Sequence, residues 1–82
     1  MNKINVAVLG CGRIGEMHAK NISLHKLTSL ACVYDINSKF ADKVASDLNV
    51  SAVLDDTEIF SNPDIDAVLI ASATNTHIEF IE

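Results

Sequence analysis

Long hydrophobic runs are missing from this sequence. Its longest apolar stretch, around AVLIA at 67–71, falls far short of the roughly 20 residues that a membrane-spanning helix needs. The opening MNKINVAVLG lacks an extended apolar leader ending in a small-residue cleavage site, so the reading is a cytoplasmic chain without a signal peptide. Cysteine is scarce: Cys11 and Cys32 have no CxxC spacing and no neighbouring His pair, which excludes a disulfide framework and a zinc site. Cys32 falls in an apolar run and reads as a small buried side chain. Cys11 lies between two glycines, where it is either equally inert or a reactive thiol. His18 and His25 have no acid at ligand spacing, and no metal site is expected. Basic residues are few as well. Six lysines and arginines face eleven acids for a net charge of −5, and after Lys43 there are none. Residues 1–41 carry a net +3 and residues 42–82 a net −8. Without a basic stripe the chain is not a nucleic-acid binder, and the acidic half reads as solvated surface. One proline and 49% hydrophobic residues mark a globular chain, and 82 residues suffice for one small domain.

Glycine is the most telling scarcity. The three glycines of the chain, Gly10, Gly12 and Gly15, all fall within VAVLGCGRIGEMHAK. Glycine inside a strand or helix costs stability, so their clustering marks a place from which side chains must be absent.

The surrounding pattern says what kind of place. INVAVLG (4–10) is a β-branched run that reads as a strand buried on both faces. A loose helical stripe of Ile14, Met17, Ile22 and Leu24 runs from Arg13 to about His25. SLACVYD (29–35) is a second strand. A helix follows, with Asn37 as its N-cap, Phe40, Ala41, Val44, Ala45 and Leu48 on one side, and Asn49 ending it in the left-handed conformation. SAVL (51–54) reads as a short third strand, DDTEIF as a turn or two of helix, and IDAVLIASA (65–73) as a fourth strand. In TNTHIEFIE, Thr76 followed by Glu79 is a capping-box pattern that predicts a helix. Strands alternating with helices imply an α/β fold. The expected architecture is a partial Rossmann, doubly wound parallel sheet of four strands in the order 3-2-1-4, truncated after the fourth.

In that setting Gly10-Cys11-Gly12-Arg13-Ile14-Gly15 is a G-x-G-x-x-G turn between a strand and a helix. It lets a pyrophosphate meet bare backbone amides at a helix N-terminus. Asp35, twenty residues after Gly15, ends the second strand, where a carboxylate accepts from ribose hydroxyls and repels a 2′-phosphate. With Lys39 the only cation nearby, the predicted cofactor is NAD rather than NADP. The other reading of Asp35 is a cap for the following helix. The turn ASATNTH, after the fourth strand, faces the same crevice and offers Ser72, Thr74, Asn75 and His77. His77 is open between a helix-start surface residue, a cofactor contact and a proton-transfer group.

These three segments resemble the glucose-fructose oxidoreductase / inositol dehydrogenase family, its inositol 2-dehydrogenase branch in particular. The resemblance runs over the whole chain, through GCGRIGEMHAKNI, VYDINSKFADKVA and DAVLIASATNTHIEFI. It implies that Gly10, Gly12, Arg13, Ile14 and Gly15 form the pyrophosphate loop and that Asp35 binds the ribose. It also implies that Ser72, Thr74, Asn75 and His77 line the dinucleotide crevice. Ala73 stands where the family usually has proline. The resemblance further implies a Glu-Lys-Pro motif, whose lysine assists hydride and proton transfer, and a substrate domain. Residues 1–82 contain neither, so they are expected to be an incomplete N-terminal dinucleotide-binding domain with no catalytic residue and no dehydrogenation alone. A non-catalytic nucleotide-sensing module and a self-associating remnant are the competing readings. The half-fold also predicts a bare second sheet face and an unpaired edge on the fourth strand. Each would drive self-association, because a few hundred Å² of exposed apolar surface forfeits several kcal/mol at about 25 cal/mol per Å².

Overall fold

The computed structural model describes residues 3–71 and the strand 76–80, the latter by its backbone and by Ile78. The elements run β1 (Ile4–Leu9), α1 (Arg13–Leu24), β2 (Thr28–Tyr34), α2 (Ser38–Leu48), β3 (Ser51–Ala52), α3 (Thr57–Phe60), β4 (Ala67–Ala71) and β5 (Thr76–Phe80). They build one sheet in the order β3-β2-β1-β4-β5. β1 pairs in parallel with β2 and β4, and β2 with β3, so the expected 3-2-1-4 arrangement is present.

Local chemistry sets the helix ends. Asn37 caps α2 by accepting from the Lys39 amide at 3.1 Å. Asn49 closes it at φ 58°, ψ 46°, the left-handed conformation that asparagine tolerates. β3 is shorter than SAVL because the Leu54 and Asp55 amides both donate to the Glu58 carboxylate, which turns the chain into α3. Asp55 in turn accepts from the amide and hydroxyl of Thr57, and these bonds hold its carboxyl below the ordinary carboxylate range.

Alternation along the strands divides the core in two. Val6, Val8, Leu30, Val33, Ala67 and Leu69 point to one face, where Ala19 of α1 and Ala41, Val44 and Ala45 of α2 cover them. Ala7, Cys32 and Val68 point to the other. Val6 pairs with Leu30 and Ala7 with Cys32, so Ala31 bulges out of register and is exposed. The bulge puts Leu30 and Val33, three positions apart, on the same face, which strict alternation would not do.

Three expectations are corrected. The second face is not bare, because the connection from β3 to β4 folds back across it and docks Ile59 of α3 and Ile65 against Ala7, Cys32 and Val68. Ile59 is wholly buried and Ile65 nearly so. Asn5 anchors that connection: its amide donates to Asp66 at 2.8 Å and its side chain to the Asp64 carbonyl at 2.9 Å. What stays half-covered is a row across the carboxyl ends of the strands: Val53, Tyr34, Leu9 and Ile70.

The segment expected to start a helix at Thr76 is strand β5 instead, antiparallel to β4 with Ile70 opposite His77 and Ala67 opposite Phe80. The Thr76–Glu79 capping pattern therefore does not set the local structure, and the edge of β4 is not unpaired. A helix of a turn and a half gains few hydrogen bonds for the residues its nucleus must fix. The free edge of an apolar strand offers a full ladder to the same five residues.

Of the two isoleucines that seal the second face, Ile59 is the more completely buried. Ile59→Ala should cost about 2–5 kcal/mol, read as a lower urea midpoint with the far-UV spectrum kept at zero denaturant.

Candidate dinucleotide site

The three glycines serve different purposes. Gly10 has φ +99°, where a side chain is strained, and a Cβ there would run into the carbonyl oxygen of Ala71 at the end of β4. A Cβ on Gly15 would run into the carbonyl oxygen of Gly10. Both absences let α1 pack against the ends of β1 and β4. Gly12 differs, because among the described residues a Cβ there would meet nothing within 4 Å. Its backbone, at φ −68° and ψ −168°, is one that any residue adopts. Among the described residues no protein contact accounts for a glycine at 12, which leaves room for another group to approach the backbone.

Gly12 is the N-cap of α1 and supplies no side chain to cap it. The first helical bond runs from the Glu16 amide to the Gly12 carbonyl at 2.8 Å. Among the described residues, the Gly12, Arg13, Ile14 and Gly15 amides thus have no protein acceptor. Four N–H groups without a protein acceptor among the described residues, at the positive end of a helix dipole, are suited to a diphosphate. Arg13 and Ile14 are exposed on this turn and Gly15 is buried beneath it.

Asp35 lies just past the end of β2, directly beside the loop. Its Oδ2 accepts from the Cys11 amide at 2.6 Å and its Oδ1 from the Asn37 amide at 2.7 Å. Asn37, not Asp35, caps α2. A carboxylate has about four lone-pair sites, so both oxygens keep acceptor capacity for ribose hydroxyls. The Gly10 amide donates to the Tyr34 carbonyl at 2.7 Å, a second tie between the loop and β2.

Cys11 is not a reactive thiol. It is buried, and burial, reinforced by the Asp35 charge, pushes its pKa up to about 11. Cys32 is buried on the opposite face of the sheet, and burial raises its pKa too. Among the described residues no cluster of metal-ligating side chains occurs. The His25 ring accepts from the Leu27 amide at 3.1 Å and shapes the turn into β2.

Ser72, Thr74 and Asn75 lie outside the described residues. His77 is placed on β5 opposite Ile70, so it is not at a helix start. The structure also shows a groove of about 700 Å³ between α1 and α2, lined by residues that include Arg13, Met17, Lys20 and Leu48. It includes neither Asp35 nor a glycine, and the sequence pattern gave no sign of it.

The glycine assignments separate by stability. Gly15→Ala should lose about 3 kcal/mol or more through backbone collision. Gly12→Ala should stay within about 1 kcal/mol of the parent, a poorer N-cap being offset by a less flexible unfolded chain. Thermal unfolding of the two variants side by side checks this.

Residues 4–82 match the profile of the oxidoreductase family with an NAD-binding Rossmann fold. The chain is 38% identical over 82 residues to scyllo-inositol 2-dehydrogenase (NAD(+)) of Bacillus subtilis, covering 98% of this chain and 24% of that protein. It is 34% identical over 79 residues to myo-inositol 2-dehydrogenase of Thermotoga maritima, covering 95% and 24%. It therefore spans about a quarter of the length of these relatives. Among solved structures, myo-inositol dehydrogenase from Lactobacillus casei, in complex with NAD(H) and myo-inositol, superposes with a TM-score of 0.81 at 29% identity. That match covers 88% of this chain and 22% of the other. A glycine turn opening onto bare helix amides, a carboxylate beside it and a match along nearly the whole chain agree: it belongs to the NAD-binding Rossmann oxidoreductase family.

Proposed function

We propose that this chain is the NAD-holding part of an inositol-dehydrogenase-type oxidoreductase. The observation that carries the reading is the open space that the described residues leave at Gly12, bordered by helix amides with no acceptor among those residues. The Gly12, Arg13, Ile14 and Gly15 backbone would hold the diphosphate, with Gly10 making the turn. Asp35 would accept from the adenosine ribose and disfavour a 2′-phosphate by charge repulsion. When bound, NAD supplies a hydride acceptor, and these residues bind and orient it.

Ser72, Thr74, Asn75 and His77 complete the proposed site on the β4 side. Their support is chain position: Ala71, one residue before Ser72, packs against both Gly10 and Gly15. The substrate class is a polyol such as an inositol, by analogy with the named relatives. The role proposed for residues 1–82, which span about a quarter of the length of the named relatives, is cofactor binding rather than the chemical step. Two unpaired thiols on opposite sheet faces suit a reducing cytoplasm, and no described helix is long and apolar enough to cross a membrane.

Self-association is the second part of the proposal. β5 covers the edge of β4, so the surface proposed for it is the half-buried row Val53, Tyr34, Leu9 and Ile70. A second copy laid on that row would remove apolar area that water now touches.

Calorimetric titration with NAD should give saturable binding that Gly12→Ala weakens at least about tenfold, or 1.4 kcal/mol, with its melting temperature kept. Absence of binding at millimolar NAD overturns the reading. Light scattering after size exclusion should show mass rising with concentration, and Leu9→Glu should abolish the rise. A monomer throughout the micromolar range removes the self-association.

A further inference from the structure

We infer that Asp35 is a positioning residue for the glycine loop itself, in addition to any contact it makes with the ribose. The inference rests on the dinucleotide reading, but its observations are internal to the protein. The Asp35 carboxylate bridges two segments 24 residues apart in sequence, taking the Cys11 amide on one oxygen at 2.6 Å. Its other oxygen takes the Asn37 amide at 2.7 Å, which fixes the carboxylate relative to β2 and α2. Charge-assisted bonds of this length are among the stronger ones a protein makes.

Cys11 is the residue between Gly10, at positive φ, and the open Gly12, so the amide that Asp35 grips lies at the centre of the turn. The rest of the peptide is held from the same side. The Gly10 amide and the Cys11 thiol both donate to the Tyr34 carbonyl, at 2.7 and 3.6 Å, and the Cys11 side chain is buried in the helix-side core. One more consequence concerns direction. With the Cys11 N–H turned inward to Asp35, the phosphate-facing set starts at Gly12. Asp35 thus decides which amides of the loop are offered to a ligand.

This role is separable from ribose binding by the sign of an effect. A carboxylate beside a diphosphate repels it, so on electrostatics alone removing Asp35 tightens any ligand lacking ribose hydroxyls. If Asp35 holds the loop, removing it weakens such a ligand, because the amides lose their arrangement. The probe is 2′,3′-dideoxy-ADP, which carries a diphosphate but no hydroxyl for the carboxylate to accept from.

The test uses the 82-residue chain, its Asp35→Ala and Asp35→Asn variants, and amide-resolved NMR. In the parent, the Cys11 amide should exchange with solvent at least about tenfold more slowly than in Asp35→Ala, as expected for loss of a charge-assisted bond. Asp35→Asn, which keeps one carbonyl acceptor, should fall between. Dideoxy-ADP should bind Asp35→Ala about fivefold more weakly than the parent or worse, a loss on the scale of one ordinary hydrogen bond. Unchanged exchange at Cys11 in both variants overturns the inference, as does unchanged or tighter dideoxy-ADP binding. Should Asp35→Ala fail to fold, Asp35→Asn carries both readouts. If the parent binds neither NAD nor dideoxy-ADP, the dinucleotide reading fails, while Cys11 exchange still decides whether Asp35 holds the loop.

Discussion

The contact on which the molecule depends is backbone against backbone. Gly15, in the first turn of α1, rests on the carbonyl of Gly10, and Gly10 rests on the carbonyl of Ala71. No residue with a Cβ could make either approach. Through them α1 starts within reach of β1 and β4 at once, and its unbonded amides emerge where two parallel strands end side by side. Move the helix outward by the width of a methyl group and the core under Ala19 opens, while the phosphate-facing turn loses its floor.

Around that contact the chain manages a sheet with two faces to cover. Two helices shield one face, with alanines where they come closest. The other is served by a single turn of helix and a loop, which suffices for Ala7, Cys32 and Val68 because Ile59 and Ile65 project onto them. The cover ends at the carboxyl ends of the strands, where Leu9, Tyr34, Val53 and Ile70 are left half-open. The half-open row lies at the end of the sheet that also carries the glycine turn and Asp35. Polar recognition and spare apolar surface therefore share one rim. The Lys43–Glu16 ion pair that links the two helices is exposed on both sides, so water screens it and packing does the holding.

Asp35 joins these two themes. Its position at the end of a strand is a matter of register, yet what it does depends on a partner 24 residues earlier. Placed there, one carboxylate takes the Cys11 and Asn37 amides and keeps acceptor sites for the proposed sugar contact. Burial and that same negative charge keep the neighbouring thiol protonated, so a cysteine in the middle of the binding turn is chemically quiet.

What could be read from the chain alone was whatever short-range chemistry controls. The caps Asn37 and Asn49, the continuous apolar runs of β1 and β4, and the glycine spacing each express a preference settled within a few residues, and all reappear in the structure. So does the four-strand order, because parallel strands joined by helices admit few arrangements. The third dimension decided the rest. Thr76–Phe80 has the pattern of a helix start, but the open ladder of β4 outbids a nucleus of so few residues. Ile59 and Ile65 show no periodicity, so their docking on the far face depends on where a loop returns in space. The distinct roles of Gly12 and Gly15, identical letters in one motif, appear only when each missing Cβ is set against its surroundings: sequence spacing records that a side chain is absent, and only the folded neighbours reveal what occupies its place.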